Sequence, residues 1–177
     1  MAAMQVSCCF SGHRPGKLPW GYREEDPRCA ALKDAIAAML EKAYDDGYRH
    51  FICGMALGCD LYFCEEALRL RARRPDVTVE AAGPCRDQAA RWAAAQRARY
   101  EALLAQCDRR TLLQERYDGG CMQRRNRYMV DHSALLIAVH DGSPGGTLYT
   151  IEYALRCRRH VLVLPPVGSA WERKGDM

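Results

Sequence analysis

The chain has 177 residues, of which 49% are apolar and 27% charged, and its net charge is +4. That length gives one ordinary domain with room for a real core, and the composition excludes a disordered or collagen-like chain. No apolar run approaches the roughly 18 residues of a membrane helix, and Met1 to Phe10 lacks the basic start and long apolar core of a signal peptide.

There are ten cysteines. A disulfide scaffold of that density is usually much shorter. Cys8, Cys9, Cys53 and Cys64 lie among apolar residues, where a reduced thiol behaves as a small hydrophobe. No CxxC pair occurs, and Cys53, Cys59 and Cys64 do not have zinc-knuckle spacing, so no metal is expected. These features predict a reduced, cytoplasmic protein. Lysine occurs only at Lys17, Lys33, Lys42 and Lys174, so arginine dominates the 26 basic residues.

Strand and helix alternate along the chain. Gln5 to Ser11 is a short apolar run that ends in Ser11-Gly12, and a polar loop follows. Asp26-Pro27 reads as an N-cap and first helical position; Leu32, Ile36, Met39, Leu40 and Ala43 then share one face until Gly47. Arg49 to Cys53 is a second strand, broken at Gly54. The loop to Asp60, a candidate N-cap, opens a helix that stops before Pro75. Val77 to Ala82 is a third strand. Asp87 to Cys107 reads as one long Ala-rich helix with Trp92 in the core, and Thr111 to Gln114 as a short strand. Met122 to His132 is a helix with Met122, Arg125, Asn126 and Met129 on one face. Ala134 to Val139 is a strand, Thr147 to Arg158 a helix and Val161 to Leu164 the last strand, stopped by Pro165-Pro166. Residues 1–167 are read as a single domain and 168–177 as a flexible tail.

Short apolar strands separated by helices predict an α/β fold: a Rossmann-like, doubly wound, mainly parallel sheet with helices on both faces. Ligands of such sheets bind beyond the carboxyl ends of the strands. Glycine marks several of those ends. Ser143, Gly145, Gly146 and Thr147 open a helix, whose N-terminus suits phosphate, and Thr150 offers a further hydroxyl. Gly54, Met55, Ala56 and Gly58 lead to Asp60, which could take a ribose hydroxyl or cap its helix. Ser11, Gly12, His13 and Arg14 follow the first strand, where Arg14 could pair with phosphate and His13 could shuttle a proton. Arg125 and Asn126 stand where apolar residues are expected, so they either snorkel to the surface or point into the pocket, and the pocket is the favoured reading. Cys59 and Cys85 fall in loops at its rim, as candidate reactive thiols.

These residues resemble a known family. Ile52 to Asp60 is similar to the SGMARGID segment of DprA/Smf proteins, and Gly145 to Ala154 to their SGSLITARYA segment. Ser11-Gly12-His13-Arg14-Pro15, with Pro84, Gln88 and Trp92, most resembles the YpsA-like branch of the SLOG superfamily, over about Val6 to Pro166. The resemblance implies a Rossmann-like fold that binds a nucleotide or an ADP-ribose-like ligand as a sensor or regulator, with no obligatory cofactor. An alternative comes from the LOG branch, phosphoribohydrolases acting on nucleoside monophosphates. Met122, Arg125 and Met129 resemble its arginine helix, but Thr150 stands where its acidic residue belongs, and Glu152 lies two positions on. A DprA-like contact with single-stranded DNA, or with a protein, is the third reading. LOG-type relatives dimerise, so a homodimer is expected.

Overall fold

A computed structural model describes residues 2–168 and 170–175. In chain order the elements are α1 (Ala2–Gln5), β1 (Ser7–Gly12), α2 (Pro27–Asp45), β2 (His50–Cys53), α3 (Cys59–Arg73), β3 (Thr78–Gly83), α4 (Ala94–Gln106), β4 (Arg109–Leu112), α5 (Cys121–Asp131), β5 (Leu135–Val139), α6 (Gly146–Arg156), β6 (His160–Leu164) and β7 (Glu172–Lys174). They form a seven-stranded sheet in the order β4-β3-β2-β1-β5-β6-β7. β1 to β6 run parallel, and β7 joins β6 antiparallel. The fold is the expected doubly wound α/β sandwich.

Alternation along each strand divides the core in two. Cys8, Phe10, Phe51, Cys53, Ile137 and Val139 face α2, α3 and α4, where Phe10 stacks on Phe63 with ring centroids 4.5 Å apart. Cys9, Ile52, Leu136, Ala138 and Val163 face α5 and α6. Strands covered on both sides must be apolar at nearly every position, and Leu135–Val139 is buried throughout. The strand thiols Cys8, Cys9 and Cys53 and the α3 thiol Cys64 are fully buried, as expected of small hydrophobes.

The helix starts are partly as read. Asp26 caps α2, its side chain accepting from Arg28 N–H. The long Ala-rich helix is a correction: α4 begins only at Ala94, and residues 87–92 are turns. Helix propensity is overridden by tethers from that segment to its surroundings. Arg86 pairs with Glu115 through two hydrogen bonds, of 2.7 and 3.0 Å, and Gln88 Nε2 donates to the Gly54 carbonyl. Trp92 is therefore half-buried ahead of the helix rather than in the core. The fourth strand lies two residues earlier than read, at Arg109–Leu112, because Asp108 N–H and Leu113 N–H bond across to β3. Within the stretch read as a loose tail, Glu172–Lys174 pairs with β6; residues 169, 176 and 177 lie outside the described residues.

One polar network crosses the sheet. Glu80 on β3 is buried and accepts hydrogen bonds from Thr111 Oγ1 at 2.6 Å and Tyr128 OH at 2.7 Å, with His50 Nε2 2.7 Å away. Burial pushes this carboxyl up, but the hydrogen bonds from His50, Thr111 and Tyr128 outweigh it and hold its pKa at about 2. A carboxyl depressed on folding stabilises the fold above its ordinary pKa of 4.5 and loses that contribution as pH falls toward 2. Glu80→Gln is therefore expected to cost about 1–3 kcal/mol at neutral pH. It should also flatten the acid limb of stability between those pH values, as read by urea denaturation at a series of pH values.

Candidate functional site

The chain runs outward from β1 to β4 and then returns to place β5 beside β1. This reversal separates the loops that leave β1 and β5 and opens a crevice at the strand ends. A cleft of about 350 Å³ lies there. Ser11, Gly12, His13, Arg14, Ala56, Asp60, Arg125, Ser143, Gly145, Gly146 and Thr147 all line it, together with Lys17, Asn126, Met122 and Met129.

One wall is the start of α6. Gly145 sits at its N-cap with φ of 145°, a conformation that favours glycine, and no side chain caps the end. A Cβ on Gly145 would lie 2.8 Å from Lys17 Nζ. Lacking one, the loop accepts Lys17, which donates to Ser143 Oγ at 3.2 Å and to the Pro144 carbonyl. Uncapped N–H groups and an ammonium thus meet at one spot, the chemistry that suits a phosphate.

The opposite wall is α5. Arg125 and Asn126 are buried, as their place on the apolar face predicted. Arg125 Nε donates to Asn126 Oδ1 at 2.9 Å, and Nη1 donates to the Gly54 carbonyl. A Cβ on Gly54 would stand 2.5 Å from Arg125 Nη1, so only glycine lets the guanidinium lie there. Burial pulls the Arg125 pKa down and the Asp60 pKa up; the two charges oppose those shifts across the cleft.

The loop after β1 forms the floor. His13 is buried, with Nε2 2.9 Å from Asp141 Oδ1. Burial lowers its pKa, and the nearby charges of His140 and Lys17 add to this against the pull of Asp141. Ser143, through its side chain and its N–H, and then His13 hold Asp141 well below the usual carboxylate range. His13, His140 and Asp141 bring one possible metal-ligating atom each within 4.8 Å of one another. Their hydrogen bonds already brace the β1 and β5 loops.

Several expectations need correction. Asp60 does not cap α3. Gly58 holds that position, and Asp60, two residues on in the first turn, accepts from Ala56 N–H at 3.1 Å. Gly54, Met55 and Gly58 do not line the cleft; they shape its base from behind. Thr150 is fully buried and donates back to the Gly146 carbonyl at 2.8 Å, so its hydroxyl is taken by its own helix. Cys59 and Cys85 are buried rather than rim residues, and burial pushes both thiols up, Cys85 to about 12. Lys17 was missed. Its signal was its place three residues after Arg14 in the same loop.

The fold and cleft define a doubly wound, Rossmann-like α/β protein with a crevice at its strand ends. The chain belongs to the YspA SLOG family, whose YpsA model matches residues 8–160. The uncharacterized SPbeta prophage-derived protein YoqJ of Bacillus subtilis is 32% identical over 144 residues, which cover 73% of this chain and 84% of that protein. The UPF0398 protein YpsA of the same organism is 29% identical over 149 residues, covering 81% of this chain and 82% of that one. Among solved structures, DNA processing protein A from Helicobacter pylori aligns with a TM-score of 0.62 at 18% identity, over 92% of this chain and 66% of that one. The Streptococcus pneumoniae protein of that name gives 0.59 at 15%, over 91% of this chain and half of its own. At such identities these structures share the fold.

Three measurements check this geometry. Gly54→Ala should destabilise the protein by about 1–3 kcal/mol through overpacking against Arg125. Gly146→Ala, where a Cβ meets nothing within 4 Å, should leave the denaturation midpoint nearly unchanged. In native thiol titration, Cys59 and Cys85 should stay silent, and so should the half-buried Cys107, whose thiol is pushed well up by its contact with Cys64 and donates to the Leu103 carbonyl at 3.4 Å; only the half-buried Cys157 should react, with all ten cysteines counted after denaturation.

Proposed function

We propose that this protein binds a nucleotide or a nucleotide-derived, ADP-ribose-like ligand in the switch-point cleft, and acts in the cytoplasm as a sensor or regulator. The observation that carries the reading is the convergence of Lys17, the uncapped start of α6 and the buried Arg125 on one cleft. In this reading phosphate sits on Gly145, Gly146 and Thr147, Lys17 and Arg14 neutralise it, and Asp60 accepts from a ribose hydroxyl. The cleft volume falls in the range of small-ligand sites.

Turnover finds less support. Glu152 is exposed on α6, and Thr150 offers no carboxylate, so a LOG-type hydrolase would lack its acid on that helix. Asp60 is the carboxyl that lines the cleft. Nucleic acid is the second reading: the H. pylori neighbour is described by its single-stranded DNA binding mode.

Calorimetry with AMP, ADP, ADP-ribose and a short oligothymidylate tests these readings. A mononucleotide-type ligand should bind, Lys17→Ala should weaken it about tenfold through the loss of one charge-assisted contact, and Gly146→Asp should abolish it. Binding of none of the nucleotides, or full binding by Gly146→Asp, would overturn the proposal. Binding of the oligonucleotide alone would replace it with the second reading.

A further inference from the structure

We infer that a second lobe beside the cleft is a base-binding subsite, so that the ligand is a purine nucleotide whose ring stacks on Trp92. The inference rests on the phosphate reading above and deepens it. The lobe has a volume of about 280 Å³, and Gln88, Arg91, Trp92, Tyr117 and Met122 line it. Met122 also lines the anion cleft, so the two lobes adjoin at its side chain. Its sulfur lies 3.8 Å from Arg14 Nη2 and 4.0 Å from Arg125 Nη2, which places the cationic wall against the aromatic lobe.

The chemistry of the lobes differs as the two ends of a nucleotide differ. The first offers cations, glycine backbone and helix N–H groups. The second offers two aromatic rings and an amide, with the Asp87 carboxylate and the Arg91 guanidinium beside them. Trp92 meets Tyr100 edge-on, with centroids 5.3 Å apart at 76°. Its carbonyl accepts from Arg97 Nη1 at 3.0 Å, so the residue is braced although only half-buried. Tyr117 is 63% exposed, among the most exposed large hydrophobic residues of the described chain. A wet, braced indole facing a small cavity is a stacking platform, because every base presents a π-face. The same lobe holds unmet hydrogen-bonding capacity. Gln88 spends Nε2 on the Gly54 carbonyl at 3.3 Å, and its own carbonyl oxygen is buried without a partner. An exocyclic amine on the base supplies the missing donor, which favours an amine-bearing purine, adenine or guanine, over hypoxanthine. The tethers of Arg86 and Gln88 that stop α4 from starting earlier are what set Trp92 in this position.

The test compares AMP, IMP and ribose 5-phosphate by calorimetry on the full chain, alongside tryptophan fluorescence. AMP should bind at least about tenfold more tightly than ribose 5-phosphate and should quench fluorescence, while ribose 5-phosphate should not. Trp92→Leu should abolish the quenching and bring AMP affinity down to that of ribose 5-phosphate, with ribose 5-phosphate affinity unchanged. If that variant fails to fold, Tyr117→Ala at an exposed position should lower the same affinity ratio. Equal binding of AMP and ribose 5-phosphate by the parent protein, or an unchanged ratio in the variants, overturns this inference alone. Failure of both ligands to bind overturns the phosphate reading and this one with it. Equal binding of AMP and IMP overturns the pairing of Gln88 with an amine.

Discussion

A guanidinium taken out of water must find its partners inside the protein, and Arg125 does so at the junction of three elements. Its own helix supplies Asn126, the end of β2 supplies the Gly54 carbonyl, and Asp60 faces it from α3. None of these would suffice alone. The glycine must lack a Cβ for the guanidinium to approach, and the asparagine must stand next in sequence to accept from Nε. This arrangement fixes α5 against the end of β2 and presents a rigid, positively charged wall to the crevice. Because a buried charge without partners is costly, the wall has little freedom to rearrange.

The crevice itself follows from chain direction. β1 and β5 are neighbours whose exit loops diverge, so Arg14 and Lys17 from one loop meet the start of α6 from the other. Gly145 has two roles in that meeting. Its positive φ turns the chain into α6, and its missing side chain leaves room for the lysine. The His13–Asp141 contact then holds the two loops at a fixed spacing. The buried imidazole and the carboxylate beside it brace the two loops at the edge of the cleft.

Much of this was legible in the chain. Apolar runs of strand length between helices gave the doubly wound sheet, because strands covered on both faces leave few polar positions, such as Glu80, to confuse the pattern. The glycine-bearing loops marked the strand ends, and Arg125 and Asn126 announced themselves by standing on an apolar helix face. Residues 87–93 failed for a plain reason. Alanine-rich sequence favours helix locally, and the bonds from Arg86 and Gln88 that oppose it reach residues dozens of positions away. Cys59 and Cys85 misled in the same way: loops are usually exposed, but Cys59 opens α3 and both thiols are buried.

The sequence by itself determined the class of fold, the family and the set of loops that meet at the site, since all three rest on local pattern and short motifs. Tertiary structure decided the roles within that set. It decided between the two readings of Asp60, leaving it in the cleft lining and giving the cap to Gly58, withdrew Thr150 into its own helix, took Gly54 and Gly58 out of the lining and brought in Lys17. Each of those outcomes depends on distances between segments far apart in the chain, and hydrophobic period and capping preference carry no information about such distances.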